Sequence, residues 1–303
     1  MRLGFFGING GATCGPDETS RLARLAEELG YDSIWAGERV VAPSPHVPGA
    51  TMAEPTYPIL DPLIHLTYVA AATERLLLAT GVLLLPQRNP VVLAKQAASL
   101  DVLSGGRFVL GIGVGSVEQE MTAIGVPMAG RGARTDDYLA AMRALWTRPG
   151  PVAHAGRFAS FSGVDAHPRP LQTGGPRIIV GGHSPAAFRR AVARGHGWYG
   201  LALDPEAAAL CIAGLRRAAD EVERPAELGD LEITVTPAER GVLELGAAPD
   251  QPFDKAAVEA FEAAGVDRLV PVMAEITVER PLVSSPSPDA VAERLEALAE
   301  LVI

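Results

Sequence analysis

Short apolar runs alternate with amphipathic stretches along most of the chain. The runs are bounded by glycine, proline or polar residues, as buried parallel strands are. The stretches between them repeat apolar residues at helical spacing. Strands are predicted at Arg2–Ile8, Ser33–Ala36, Leu76–Gly81, Phe108–Ile112, Arg177–Val180, Trp198–Leu201, Leu231–Thr236 and Arg268–Val272. Helices are predicted at Asp17–Leu29, Pro62–Ala72, Val91–Leu103, Arg134–Trp146, Pro185–Arg194, Pro205–Val222, Asp254–Ala264 and Pro288–Leu301. This strict alternation predicts an α/β fold, a closed (β/α)₈ TIM barrel.

The stretch from Gly81 to Gly115 contains one complete strand–helix–strand unit. Its first strand ends at a loop of glycine and proline, and its second strand ends in alternating glycines. Parallel β/α proteins bind ligands at the carboxyl ends of their strands. A ligand site is therefore predicted at this glycine-rich end of the barrel.

Three long segments do not follow the repeat. They are Val40–Thr56, Val114–Gly132 and Pro149–Gly175. Loops of this length in a compact domain are usually functional or disordered, and we expect these to form walls or lids of the ligand site. The domain prediction is a single barrel over residues 1–303, with an irregular insertion at about 149–175.

Composition narrows the class of partner. The 303 residues are 48% hydrophobic and carry a net charge of −10, which argues against nucleic acid because phosphate backbones need clustered cations. The longest apolar run, Leu76–Leu85, is too short to cross a bilayer, and the first residues do not resemble a signal peptide. We expect a cytoplasmic protein that binds a small molecule, with no membrane partner. No histidine or cysteine spacing indicates a metal site.

Two glycine-rich segments are candidate binding elements. Gly111, Gly113 and Gly115 would let a flat ring lie against a strand end, or would simply be small residues inside a barrel strand. Gly181 and Gly182 are followed by His183, Ser184 and Pro185, which is the start of a capped helix. The free amides at such a start attract phosphate, although an ordinary capped helix would look the same. A third candidate, Thr80-Gly81-Val82, is a β-bulge or a strained functional backbone.

Taken together, these landmarks resemble the luciferase-like monooxygenase superfamily, and within it the oxidoreductases that depend on the deazaflavin coenzyme F-420. The resemblance covers nearly the whole chain. It is carried by Ala26-Glu27-Glu28-Leu29-Gly30-Tyr31-Asp32-Ser33-Ile34-Trp35, Thr80-Gly81-Val82, Leu85-Pro86-Gln87-Arg88-Asn89-Pro90, Leu93-Ala94-Lys95-Gln96, Leu103-Ser104-Gly105-Gly106-Arg107, Gly111-Ile112-Gly113-Val114-Gly115, Val180-Gly181-Gly182 and Gly197-Trp198.

The resemblance implies where the cofactor binds. The ring would lie at the C-terminal mouth of a bacterial-luciferase-like barrel, and the phosphate near the start of a helix. A non-proline cis peptide bond would fall between Gly81 and Val82, behind the ring. The implied cofactor-binding residues are Gly81, Val82, Gly113, Val114, Gly115, Gly181, Gly182, His183 and Ser184. The resemblance also implies a homodimer.

The chain departs from the family pattern at the predicted mouth. Glu38 and Arg39 stand where many relatives have Asp-His, so Glu38 is a candidate acid or base and Arg39 a candidate anion or substrate anchor. His46 is a third candidate catalytic residue, in the first long loop. Arg39 or Arg88 would be the cation for the acidic tail of the deazaflavin. His196 stands where relatives often have an acidic residue, which raises the question of how protons move.

Three functions remain open from the sequence. The first is hydride transfer between coenzyme F-420 and a small organic substrate. The second is an FMN-dependent monooxygenase that uses reduced flavin and oxygen on the same barrel. The third, prompted by the substitutions at Glu38 and Arg39, is a cofactor-binding protein without turnover.

Overall fold

A computed structural model describes residues 1–47, 53–239, 253–273 and 286–303, and the backbone of 243–244 and 276–277. Within the predicted loop Val40–Thr56, residues 48–52 lie outside this description.

A closed parallel barrel forms the centre of the molecule, which confirms the predicted fold class. Its strands are β1 (Arg2–Phe6), β2 (Ser33–Ala36), β3 (Leu77–Thr80), β5 (Phe108–Gly113), β8 (Arg177–Gly181), β9 (Gly197–Leu203), β10 (Glu232–Pro237) and β12 (Arg268–Leu269). The pairing runs β3-β2-β1-β12-β10-β9-β8-β5, and the contact of β3 with β5 closes the ring. The remaining strands are β4 (Leu83–Leu84), the antiparallel pair β6 (Val152–Ala155) and β7 (Ser160–Val164), and the parallel pair β11 (Leu243–Glu244) and β13 (Ile276–Thr277).

Helices surround the barrel and start with strong local signals. They are α1 (Pro16–Glu28), α2 (Pro62–Ala72), α3 (Pro90–Leu103), α4 (Glu118–Ala123), α5 (Arg131–Thr147), α6 (Pro185–Arg194), α7 (Pro205–Glu221), α8 (Lys255–Ala264) and α9 (Pro288–Val302). Six of them are capped by a side-chain oxygen that accepts a first-turn amide, from Asp61, Asn89, Ser184, Asp204, Asp254 and Ser287. Proline follows five of these caps, because its missing N–H would have no helical partner there.

Apolar side chains fill the barrel interior. The inner cluster contains Phe6, Trp35, Ala79, Val109, Ile179, Tyr199, Val270 and Val272. The rings of Trp35 and Tyr199 stack with their centres 5.3 Å apart, and the Tyr199 hydroxyl is hydrogen-bonded to that of Thr236. The barrel is therefore a packed core, and a ligand has to bind at its mouth.

The insertion between α5 and β8 differs from its prediction. It was expected to be irregular, but it contains the β6–β7 hairpin, which is hydrogen-bonded to α5. Asp137 of α5 accepts hydrogen bonds from the amides of Phe158 and Ala159, and His154 lies 2.6 Å away. Asp101 of α3 accepts from two further insertion amides. The hairpin turn returns to the start of α5, where Phe158 packs against Gly130, so only the expectation of an irregular segment is corrected.

Candidate active site

The carboxyl ends of the barrel strands bring most of the predicted site residues to one face, called here the mouth. Glu38 and Arg39 follow β2, and Gly81 and Val82 follow β3. Gly113 ends β5 and is followed by Val114 and Gly115. Gly181 ends β8, and Gly182, His183 and Ser184 lead into α6. β5 pairs with both β4 and β8, so these glycines are neighbours in space.

The side chain of Val82 occupies the space that two of the glycines leave. A Cβ on Gly113 would lie 2.7 Å from one Val82 methyl, and a Cβ on Gly181 would lie 3.1 Å from the other. The peptide bond between Gly81 and Val82 is cis, as predicted. Close packing against Val82 therefore excludes a Cβ at position 113 and leaves little room for one at position 181, so these glycines do not by themselves indicate open space for a ligand.

The need for glycine at position 111 is explained by packing between strands. A Cβ there would lie 1.9 Å from the carbonyl oxygen of Thr80, and the Thr80 hydroxyl donates to the Gly111 carbonyl at 2.6 Å. This is the barrel-strand alternative raised from the sequence. Gly115 is different, since its φ of +80° turns the chain out of β5 into the mouth.

The start of α6 is a capped helix, and several of its amides have no partner among the described residues. Ser184 is the N-cap, and its hydroxyl oxygen accepts from the amide of Ala187 at 3.2 Å. The amides of His183, Ser184 and Ala186 have no acceptor in the part of the chain that the structure describes. They are available to an anion at the positive end of the helix.

His183 is positioned by the neighbouring strand. Its Nε2 accepts from the amide of Leu201 at 3.1 Å, which fixes this nitrogen as unprotonated. Burial against the barrel end lowers the pKa of the imidazole. The free ring nitrogen, Nδ1, is thus the one left to meet a ligand.

Glu38 belongs to a triad of charged side chains. Its Oε2 accepts from the amide of Leu84 at 2.5 Å, and its Oε1 is paired with the guanidinium of Arg88. The same guanidinium contacts Asp61 at 2.6 Å. The guanidinium of Arg88 is therefore paired with two carboxylates, those of Glu38 and Asp61, at the edge of the mouth.

Burial raises the pKa of the Glu38 carboxyl, and the charge of Asp61 raises it further, while Arg88 lowers it. The Glu38 side chain is only 1% exposed. A carboxyl with a raised pKa at a ligand site is suited to exchanging a proton. Both carboxylate oxygens of Glu38 accept hydrogen bonds, and the one from the Leu84 amide also links the segment after β2 to β4 as a structural brace.

Arg39 is held by a carboxylate that sequence reasoning missed. Glu120 of α4 is fully buried, accepts from Arg39 at 2.5 Å and also accepts from the amide of Val40 at 2.8 Å. The two arginines proposed for the acidic tail, Arg39 and Arg88, therefore already have carboxylate partners.

His46 lies on the same side, near a small cavity. Its Nδ1 is buried without a hydrogen-bond partner among the described residues, 3.9 Å from the Glu54 carboxylate. The cavity has a volume of about 130 Å³ and is lined by Arg39, Val40, Val41, Ala42, Ala53, Glu54, Pro55, Tyr57 and Ile59. This volume is below the range of about 300–1,000 Å³ that is usual for ligand pockets, and it has room only for a very small organic molecule.

His196 is remote from the mouth. It directly precedes β9 and lies at the opposite end of the barrel, where its Nδ1 accepts from the amide of Ile178 at 2.9 Å. Burial and nearby arginines lower its pKa to about 4. Its substitution for an acidic residue therefore has no direct bearing on proton transfer at the mouth.

Of the two missed carboxylates, one had a sequence signal. Asp61 directly precedes Pro62, and an acidic residue followed by proline is a typical start of a helix. The sequence thus marks Asp61 as the N-cap of α2. Glu120 had none, because its partner Arg39 is 81 positions away and α4 is too short to show a period.

No helix in the described ranges is long and apolar enough to span a bilayer. Nor do the described side chains include a group of three or more His, Cys, Asp or Glu arranged to hold a metal ion.

Comparison with known proteins identifies the family. A sequence model of the luciferase-like monooxygenase family matches residues 2–239. An uncharacterized protein of Mycobacterium tuberculosis is 34% identical over 183 residues, which is 58% of this chain and 64% of that protein. The oxygenase component of a flavin-dependent trigonelline monooxygenase from Acinetobacter baylyi is 31% identical over 181 residues, 59% of this chain and 46% of its own. These matches thus cover less than two thirds of the relatives' length.

Solved structures agree on the fold. An F420-dependent secondary alcohol dehydrogenase, in complex with an F420-acetone adduct, superimposes with a TM-score of 0.76 over 99% of this chain and 98% of its own. The identity is 15%, so the likeness concerns the fold alone.

Proposed function

Because the chain belongs to the luciferase-like monooxygenase family, we propose that it is an oxidoreductase that uses coenzyme F-420. It would transfer a hydride between this cofactor, bound at the mouth, and a small organic substrate. The proposal depends on one observation. Three backbone amides at the start of α6, those of His183, Ser184 and Ala186, have no acceptor among the described residues, and they follow Gly181, which packs against Val82.

The residues at the mouth fit such a cofactor. The amides of His183, Ser184 and Ala186 would hold its phosphate, which needs donors and a positive helix end. The side chain of Val82 packs against Gly113 and Gly181, and it would support the ring from behind. When bound, the ring supplies or accepts the hydride, and the protein supplies orientation and proton exchange.

Glu38 is our proposed proton-exchanging group. Its carboxyl combines a raised pKa with a position at the end of β2, adjacent to Gly81 at the end of β3. Arg88 would hold the carboxylate in place and stabilise its charged form. The substrate would occupy the cavity beside Arg39 and Glu54, where His46 is a second candidate for contact.

An FMN-dependent monooxygenase is the second candidate. The 31% identity to the flavin-dependent trigonelline monooxygenase favours it, since that relative is closer in sequence than the superimposed dehydrogenase. The phosphate amides at α6 suit either cofactor.

Equilibrium titration with oxidised coenzyme F-420 and, in parallel, with FMN tests the proposal by fluorescence. Micromolar affinity for the deazaflavin with no saturable FMN binding is expected. Preferential binding of FMN would replace the first candidate with the second, and oxygen consumption would become the assay. Binding of neither would overturn both, and cofactor binding without any turnover would support the third, non-catalytic alternative.

A further inference from the structure

Three arginines surround the start of α5, just outside the mouth. Arg131 is the first residue of α5, Arg134 lies one turn further, and Arg157 lies between β6 and β7. The guanidinium carbons of Arg134 and Arg157 lie 4.8 Å and 5.0 Å from the centre of the Phe158 ring. That ring in turn packs against Gly130, the N-cap of α5. The three side chains therefore form one cluster, called here the arginine cluster.

The arginine cluster has no carboxylate partner in the part of the chain that the structure describes. Among the described residues, no carboxylate lies within ion-pairing distance of any of its members, although the chain as a whole carries a charge of −10. Arg131 instead donates to the carbonyl oxygens of Gly115 and Met128, at 3.0 and 3.2 Å. The Nε of Arg134 is buried and has no hydrogen-bond partner among the residues that the structure describes.

The two acidic side chains of α5 face other groups. Asp136 is paired with Arg190, and Asp137 accepts from His154 and the hairpin amides. Uncompensated like charges repel one another, and a site built this way is stabilised by a bound anion. Arginine is the side chain that best matches the oxygens of phosphates and carboxylates.

The arginine cluster is continuous with the proposed cofactor site. Arg131 is bonded to Gly115, which lies just beyond β5, and β5 pairs with β8 at Ile112 and Val180. Arg190 of α6 donates to the Gly132 carbonyl at 3.1 Å, which ties the start of α5 to α6. The start of α5 therefore lies against α6, whose own start carries the free amides proposed for the phosphate.

We propose that Arg131, Arg134 and Arg157 bind the acidic tail of the cofactor. The inference rests on the proposed function, and it assigns to the tail a site that Arg39 and Arg88 do not offer, since both are already paired. The ligand chemistry is a chain of carboxylates attached to the cofactor phosphate. The ring and the tail would thus be held by separate parts of the mouth.

The test compares two ligands and two double variants by fluorescence titration. The ligands are coenzyme F-420 and its riboside, which has the same ring but neither phosphate nor tail. The variants are R134Q/R157Q and, as a control with the same change in charge, R216Q/R217Q on the exposed face of α7. Circular dichroism and the melting temperature establish that each variant is folded.

We expect R134Q/R157Q to weaken coenzyme F-420 binding about tenfold, as loss of two exposed ion pairs does, with riboside affinity unchanged. The single variant R157E, on the exposed hairpin turn, should weaken F-420 binding by itself. Added salt should weaken F-420 binding to the wild type more than riboside binding.

Three results would overturn the inference, and they are distinguishable. Equal F-420 affinity in the wild type and R134Q/R157Q, with the riboside bound by both, would remove the tail site and leave the proposed function intact. Failure of the wild type to bind either F-420 or the riboside would contradict the proposed function itself. An equal loss in R216Q/R217Q would reduce the effect to net charge and would also overturn the site.

Discussion

Glu38 and His65 are both buried and titratable, but their surroundings differ. Glu38 is paired with Arg88, which also contacts Asp61, and it accepts a hydrogen bond from a backbone amide. The charged form of Glu38 therefore retains its partners. Both ring nitrogens of His65 are buried without a hydrogen-bond partner among the described residues. The first environment suits a group that gains and loses a proton, whereas the second opposes the charged form.

Glu38→Gln tests the proton-exchanging role. The amide keeps the shape of the side chain but cannot exchange a proton, so we expect turnover to fall about 100-fold or more. Affinity for coenzyme F-420 and the melting temperature should change little. Asp61→Asn is the matched control, because it removes a carboxylate from the same Arg88 and keeps the helix cap. Equal losses of turnover in the two variants would indicate that Glu38 acts only as a brace.

His65 should make the protein sensitive to mild acid. Burial lowers its pKa from 6.5 to about 4 in the folded state. Between these values the unfolded chain binds a proton and the folded chain does not, so stability falls as pH falls from about 6.5 to about 4. The shift corresponds to a loss of up to about 3 kcal/mol.

Urea unfolding of the wild type and His65→Phe at a series of pH values measures this effect. The variant should lose less stability than the wild type over the same interval, while the contribution of His196 remains in both. Parallel pH dependences for the two proteins would show that His65 does not titrate as expected.

At the scale of elements, the repeat of strands and helices could be read from the sequence. Each barrel strand is a short apolar run, and five of the helices begin with a cap followed by proline. The β6–β7 hairpin could not be read, because its strands are mostly exposed and lack an apolar alternation. Its position depends on Asp137, a contact that is not visible in local sequence.

The candidate site was predicted only in part, for a related reason. Glycines at the strand ends mark the mouth, and the cap at Ser184 marks the free amides. The packing of Val82 depends on Gly113 and Gly181, which come from different strands. The carboxylate partner of Arg39, Glu120, comes from α4. Contacts between distant segments follow from the closed barrel and not from any local pattern.

Gly111→Ala tests how tightly β3 and β5 are packed. The new Cβ would collide with the Thr80 carbonyl oxygen, which is backbone and moves only with its strand. We expect a loss of about 3 kcal/mol in the free energy of unfolding. Gly15→Ala is the control, since its Cβ would meet nothing within 4 Å and its φ is −67°. Its cost should stay within about 1 kcal/mol. Similar costs in denaturant titrations would contradict this packing.

At the scale of the whole molecule, the two ends of the barrel differ in construction. The N-terminal end carries a buried network in which Arg268 is paired with Asp32 and Glu232. The C-terminal end carries the free amides, the shared Arg88 and the arginine cluster. Charges at the first end are satisfied within the protein, and donors at the second are left for a ligand. This asymmetry is consistent with the proposed site at the mouth.

The outer surface of α2 and α3 is where we expect a second copy of the chain. α2 is apolar on both faces, and its Ile64 and Tyr68 are 73% and 46% exposed. Val91 and Val92 of α3 are exposed as well. We expect light scattering to give a dimer mass for the wild type and a monomer mass for Ile64→Glu. Leu210→Glu, on α7, is the control and should remain dimeric. A monomeric wild type would contradict the proposed dimer.

A crystal structure of the protein with coenzyme F-420 is the most direct measurement of the central claim, that the C-terminal mouth is the cofactor site. We expect the phosphate within hydrogen-bonding distance of the amides of His183, Ser184 and Ala186, and the ring beside Val82. A ring bound elsewhere on the barrel, or a phosphate that makes no contact with the start of α6, would contradict the account.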